Sequence, residues 1–200
     1  MAQWAPFSKE ELKQMIAKCN DFLAPGPDKL SWRYLKIIIK QDECLTNIIN
    51  VTNACINLRH WLDYFKRSST IIIPKPNKPS YNYAKMFRPI VLLNMLGKLI
   101  KKVIAIRIQF TVTKNNFIYP SQLGRLKFKS TTDAGVALTH IVRSRWVKGK
   151  STSTLTFDIS QFFPSLNHNL LMIVLSKVGL EPKVSKFFAD YLVQRKMNYV

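Results

Sequence analysis

A β-branched run, Ser69-Thr70-Ile71-Ile72-Ile73, is cut off by Pro74, and after a basic turn, Lys75-Pro76-Asn77-Lys78-Pro79, a second apolar run extends from Phe87 to Leu93. Proline holds φ fixed and offers no N–H to a ladder, so the pattern predicts two short strands around a loop. On the amino-terminal side the apolar period is that of a helix. Ser8-Lys9-Glu10-Glu11 has the spacing of a capping box, and Leu12, Met15, Ile16 and Cys19 follow at helical intervals. The turn Ala24-Pro25-Gly26-Pro27-Asp28 ends that helix before a second apolar segment, Leu30 to Ile39. A third helical stretch is expected over Leu45 to Leu58. The expected fold class is α+β.

Further along, Leu96, Leu99, Ile100 and Val103 form one apolar stripe, with Lys98, Lys101 and Lys102 away from it. Ala134, Ala137, Leu138, Ile141 and Val142 repeat the pattern. Thr154 to Asp158 alternates, with Leu155 and Phe157 on one side, and predicts a strand that carries Asp158 at its carboxyl end. Ser165 precedes a helix with Leu166, Leu170, Val174 and Val178, ending at Gly179. Pro182 opens a last helix carrying Val184, Phe187, Phe188, Tyr191 and Leu192. Lys196 to Val200 then begins a strand-like run, which suggests a piece of something longer.

Charge narrows the function. The chain carries a formal +20, and residues 66–150 hold eighteen Lys and Arg against a single acid, Asp133. A solvated surface interleaves both signs, whereas a stretch almost cleared of acids suits a polyanion, and nucleic acid is the expected partner. With 47% hydrophobic residues there is material for a core, so disorder is excluded. Cys19, Cys44 and Cys55 form no C-x-x-C pair and are odd in number, which argues against disulfides and structural zinc. No apolar run reaches the ~18 residues of a membrane span, and Met1 to Lys9 does not read as a secretory leader. The expectation is an intracellular protein of nucleus or cytoplasm. Nothing in the sequence sets an oligomeric state.

The segment Phe157-Asp158-Ile159-Ser160-Gln161-Phe162-Phe163-Pro164-Ser165-Leu166-Asn167-His168 brings one carboxylate into an aromatic-lined turn. Such a carboxylate suits a hard cation, since Mg²⁺ takes one or two carboxylates together with waters and substrate phosphates. Taken alone, an aspartate so placed more often caps a helix or shapes a turn.

Five blocks in order carry a resemblance: APGPDKL (Ala24 to Leu30), IIIPKPNK (Ile71 to Lys78), FRPIVLLNMLGKLIKKVIAIRI (Phe87 to Ile108), QLG with STTDA (Gln122 to Gly124, Ser130 to Ala134), and FDISQFFPSLNH (Phe157 to His168). Over about residues 24–200 the chain resembles the reverse transcriptase of LINE-type, non-LTR retrotransposons, with the look of fungal members. The resemblance implies a right-hand polymerase reading RNA template and DNA primer, consuming dNTPs with two Mg²⁺ ions. Asp158 matches the first palm aspartate, a metal ligand, and Ile159 would offer its carbonyl to a metal. Phe163 matches the aromatic beneath the sugar that excludes a ribose 2′-hydroxyl. Arg88 matches the fingers arginine that grips the triphosphate, with Lys75 or Lys78 as second cation. Lys98, Lys101 and Lys102, and the loop cations Arg125, Lys127 and Lys129, would follow the template or duplex backbone.

There are departures. Between Gly124 and Ser130 the family often has F-R-P-G-R, where this chain has Arg125-Leu126-Lys127-Phe128-Lys129. Asp133, at a helix start, complements the helix dipole, and His60, His140 and His168 read as structural. After Asp158 the only acids are Glu181 and Asp190, neither in the paired setting of the family's second palm hairpin. The expected architecture is a helical extension at 1–68, a basic fingers region at 69–150 and the start of a palm at 151–200, its sheet incomplete. Such a chain would not polymerise alone. The rival readings are a non-catalytic RNA- or DNA-binding module and a degenerate retroelement remnant.

Overall fold

The computed structural model describes residues 4–160, 162, 163 and 165–199. Gln161 and Pro164 of the aromatic turn, and Val200 of the final run, lie outside the described residues. In chain order the elements are α1 (Lys9–Ala17), α2 (Trp32–Ile38), α3 (Asp42–Asn57), α4 (Asp63–Lys66), β1 (Arg67–Pro74), a 3₁₀ turn (Ala84–Met86), β2 (Phe87–Leu93), α5 (Met95–Lys114), α6 (Thr131–Trp146), α7 (His168–Lys177), α8 (Pro182–Leu192) and β3 (Lys196–Tyr199). They fall into two compact units, Met1–Thr111 with His168–Val200, and Val112–Asn167. The fold is α+β, with a sheet of order β2-β1-β3.

In the first unit β1 and β2 form the expected antiparallel hairpin, from Ser68 opposite Leu93 to Pro74 opposite Phe87. Pro74 is the last strand residue, where its missing N–H costs no ladder bond. β3 joins the other side of β1 in parallel, from Arg67 opposite Lys196 to Thr70 opposite Tyr199. The root of β1 is covered, with Ser68 and Thr70 buried, while Ile71–Pro74 and most of β2 lie open to solvent.

The core of this unit is helical. Trp61 is fully buried and meets Phe65, Phe187 and Tyr191 with ring centroids 5.4, 5.6 and 5.1 Å away. An indole so enclosed contributes up to about 5 kcal/mol of transfer free energy. Leu12, Ile16, Leu45, Met95, Leu99, Ile100, Val103, Ile104 and Val184 belong to the same core. α8 keeps its predicted face, with Val184 and Phe187 buried. Gly179 ends the α7 segment at φ 81°, as its place after the stripe predicts.

Several expectations are corrected. The Ser8 hydroxyl accepts the Glu11 amide, but the Glu11 carboxylate turns to Arg107 instead of closing a capping box. The helix expected after Ser165 begins at His168, with Leu170 and Val174 exposed. In the second unit α6 forms as predicted, yet none of its residues is buried and its apolar stripe faces solvent. Thr154 to Asp158 is not a strand, so Asp158 does not stand at a strand's end. Alternation supplies a pleated face but not a partner, and a strand exists only through its ladder; Leu155 and Phe157 are 78% and 86% exposed.

Candidate nucleotide and nucleic-acid site

The hairpin brings two of the expected triphosphate contacts together. Arg88 stands opposite Ile73 in the β1–β2 register, and the Lys75 amide donates to the Met86 carbonyl at 2.8 Å, adding one rung beyond Pro74 and Phe87. Lys75 is two residues past Ile73, so its side chain and that of Arg88 leave the hairpin on one face, near its loop end. Arg88 is exposed. The Lys75 ammonium donates to the Lys85 carbonyl at 2.6 Å and the Tyr81 hydroxyl donates to the Lys75 carbonyl at 2.8 Å. Lys75 thus closes the loop, with two of its three N–H donors still available. Lys78 is exposed on that loop, one residue past Asn77, which takes φ 57°.

The lysines of α5 do not share one environment. Lys101 is exposed. Lys98 donates to the Ala24 carbonyl at 2.6 Å, and burial pushes its pKa down despite the attraction of Asp28. Lys102 points its ammonium to the Cys19 sulfur at 3.0 Å and lies 5.5 Å from the Trp32 ring centroid. The last two therefore serve packing in this unit.

In the second unit Asp158 and Ile159 are exposed, and Phe163 is 81% exposed, edge-on to Phe162 with centroids 5.3 Å apart. Among the described residues no three His, Cys, Asp or Glu side chains gather as a metal cage. Asp158 and the Ile159 carbonyl are oxygen donors of the type Mg²⁺ accepts, but one carboxylate does not make a two-ion site. Asp133 closes a full capping box on α6: it accepts the Ser130 amide at 2.7 Å while Ser130 accepts its own amide. The Ser130 hydroxyl and amide hold its carboxyl below the ordinary range.

The loop between Gly124 and α6 shows what the departure from F-R-P-G-R does. Phe128 stands at the place of that motif's glycine and takes φ 62°, a left-handed conformation that bulky side chains rarely adopt. Arg125 has φ 61°, and the Lys127 ammonium lies over the Phe128 ring, 4.8 Å from its centroid. Lys127 and Lys129 are exposed.

Charges on apolar faces escaped the reading of motifs. Asp190 falls three residues after Phe187 on α8, accepts from the Trp61 amide at 2.6 Å and Lys66 Nζ at 3.2 Å, and has His60 Nδ1 3.1 Å away. Burial raises its pKa, but the Trp61 amide, Lys66 and His60 outweigh burial, and the carboxyl titrates below its ordinary value. Glu181 accepts the Trp4 amide at 2.7 Å and pairs with Lys183 at 3.2 Å. Arg107, on the buried stripe of α5, binds Glu11 at 2.8 Å, reaches the Ala5 and Pro6 carbonyls and covers the Phe7 ring at 3.9 Å. A lone charge within an apolar stripe is the signal that finds Asp190 and Arg107.

The family described as Reverse transcriptase (RNA-dependent DNA polymerase) matches residues 73–199, which include Arg88, Asp158 and Phe163. The chain belongs to the reverse transcriptase family, an enzyme family, and its relatives are of the non-LTR retrotransposon type. It is 24% identical over 193 residues to the RNA-directed DNA polymerase from mobile element jockey of Drosophila funebris, covering 96% of this chain and 21% of that protein. It is 25% identical over 183 residues to the probable RNA-directed DNA polymerase from transposon BS of Drosophila melanogaster, covering 92% and 19%. The chain thus spans about a fifth of the curated relatives it matches. These relatives support the non-LTR class and do not show the fungal affinity read from the sequence. Among the described residues no helix is long and apolar enough to cross a membrane.

Proposed function

We propose that the chain is the fingers region and the start of the palm of an RNA-directed DNA polymerase, with fingers at 69–150 and palm from 151. The observation that carries this reading is the family match across Arg88, Asp158 and Phe163. In the parent reaction a primer 3′-hydroxyl attacks the α-phosphorus of a dNTP paired to RNA, and pyrophosphate leaves. Two Mg²⁺ ions, where the complete set of ligands holds them, supply charge stabilisation to that displacement. The residues of this chain prepare it. Arg88 presents a guanidinium fork to triphosphate oxygens from the exposed face of the hairpin, and Lys75, beside it, or Lys78 adds a second cation. Asp158 and the Ile159 carbonyl provide metal donors, and Phe163 bears on the sugar to favour a deoxynucleotide. Lys101, Lys127 and Lys129 offer exposed charge to template or duplex phosphates. On this reading the protein works where its RNA is, in nucleus or cytoplasm.

The 200-residue polypeptide does not polymerise by itself. Of the two acids after Asp158, Glu181 is engaged by Trp4 and Lys183, and Asp190 by Trp61, Lys66 and His60, so neither is free to serve as a second metal carboxylate. The same observation favours nucleic-acid binding as the activity of the isolated chain. Primer extension on RNA with Mg²⁺ and dNTPs tests the statement: no extension is expected, and extension that Asp158→Ala abolishes contradicts it.

A further inference from the structure

An open depression of about 590 Å³ in the first unit is lined by Asp63, Lys66, Arg67, Gln194, Arg195 and Lys196. Four of these are cations, and two of them face each other: Arg67 and Lys196 are register partners in the parallel β1–β3 pair. Their side chains leave the sheet on one face, from backbones ~4.8 Å apart. Like charges directly opposite are destabilising, a cost that a bound anion removes. Among the described residues, the ion pairs leave Arg67, Arg195 and Lys196 without an acidic partner.

The surroundings hold these charges in place. The Lys66 side chain is 5% exposed, with Nζ 3.2 Å from Asp190 and 3.6 Å from Asp63. The Arg195 guanidinium lies over the Tyr191 ring, 4.6 Å from its centroid. Gln194, between α8 and β3, takes φ 54°. That left-handed turn sets Arg195 and Lys196 at the rim, and a non-glycine in this conformation is the type of local strain found at binding sites.

We propose that this depression is a phosphate-binding site that takes the backbone of a single nucleic-acid strand. It rests on the reading of the chain as a nucleic-acid binder, but it needs neither Asp158 nor a metal. Arg67 and Arg195 present forks to phosphate oxygens and Lys196 a point charge, with Lys66 at the base. Backbone neutralisation is independent of base identity, so binding here is indifferent to sequence.

The test is the salt dependence of binding of a short single-stranded RNA to the 200-residue chain, from about 50 to 200 mM salt. Arg67→Gln with Lys196→Gln is expected to make the slope of log affinity against log salt shallower by about 1.4, two phosphate contacts at ~0.7 each. The charge-keeping pair Arg67→Lys with Lys196→Arg is expected to restore the slope, and Lys40→Gln to leave it unchanged. Inorganic pyrophosphate forms the second arm. If the wild type binds pyrophosphate but no RNA, and the Gln pair loses it, the phosphate site stands and the nucleic-acid reading fails. If the Gln pair equals the wild type toward both ligands, the proposal is overturned.

Discussion

The Asp28 carboxylate accepts the amide N–H of Met95 at 2.6 Å, across 67 residues of chain. Met95 is the first residue of α5, so Asp28 caps from outside the helix that leads away from the hairpin. Its other oxygen accepts the Leu30 amide at 3.3 Å, which holds the Pro25-Gly26-Pro27 turn against the β2–α5 junction. A Cβ on Gly26 would lie 2.0 Å from the Leu93 carbonyl oxygen, a backbone atom with no room to give. The APGPDKL block thus does its work by packing.

Gly26→Ala is expected to destabilise the first unit by about 3 kcal/mol, since the β2–α5 junction must shift to admit a methyl group. Asp28→Ala, which uncaps α5 and frees the Leu30 amide without any steric clash, is expected to cost about 1–2 kcal/mol. Chemical denaturation of both variants checks the order, and equal stability of Gly26→Ala and wild type contradicts the close approach.

Asp190 predicts a dependence on pH. Its folded pKa is below the unfolded value near ~3.9, so the stability it contributes is present in full above that value. It is lost as pH falls through the lower folded pKa. Asp190→Asn places an amide N–H against the Trp61 or Lys66 donors and is expected to cost about 2 kcal/mol at neutral pH. Urea titrations should show the gap between variant and wild type closing only below about pH 4; a gap constant down to pH 2 to 3 contradicts the account.

Phe128 gives a prediction of opposite sign. Relief of its left-handed conformation outweighs the extra freedom of an unfolded glycine, so Phe128→Gly is expected to stabilise the second unit by about 0.5–1 kcal/mol. Phe128→Ala keeps the strained φ and should give no gain. Denaturation midpoints of the three proteins separate backbone strain from loss of the ring.

What the sequence made legible follows from range. The stripes of α1, α3, α5 and α8 declare themselves because their periods are local and their faces are covered within the first unit. Ser69–Ile73 and Phe87–Leu93 do so because a short turn joins two runs that pair with each other, although most of their side chains stay open to solvent. Ala134, Leu138 and Ile141 show the same local period, yet period does not say whether anything covers it, and here the face is open. Thr154 to Asp158 fails as a strand for the same reason, since pairing is a property of two segments. Asp28 with Met95, and Asp190 with Trp61, join residues 67 and 129 apart, and a local pattern can mark a charge such as Asp190 but not the partner it meets. Arg88, Lys75 and Phe163 are readable only through resemblance, and Asp158 is marked by its aromatic-lined turn as a candidate cation ligand but takes its palm role from resemblance alone. The hairpin adds that Arg88 and Lys75 share a face.

The most direct measurement of the central claim is metal-dependent binding of dTTP to the chain, wild type against Asp158→Asn, with Asp133→Asn as control. The account predicts binding with Mg²⁺ or Mn²⁺ that chelation removes. It predicts loss of tenfold or more in Asp158→Asn, since even outer partners of a bound metal are worth about 10–100-fold, and none in Asp133→Asn. Binding that ignores the metal, or that Asp158→Asn retains in full, contradicts the assignment of Asp158 as a metal ligand of a nucleotide site.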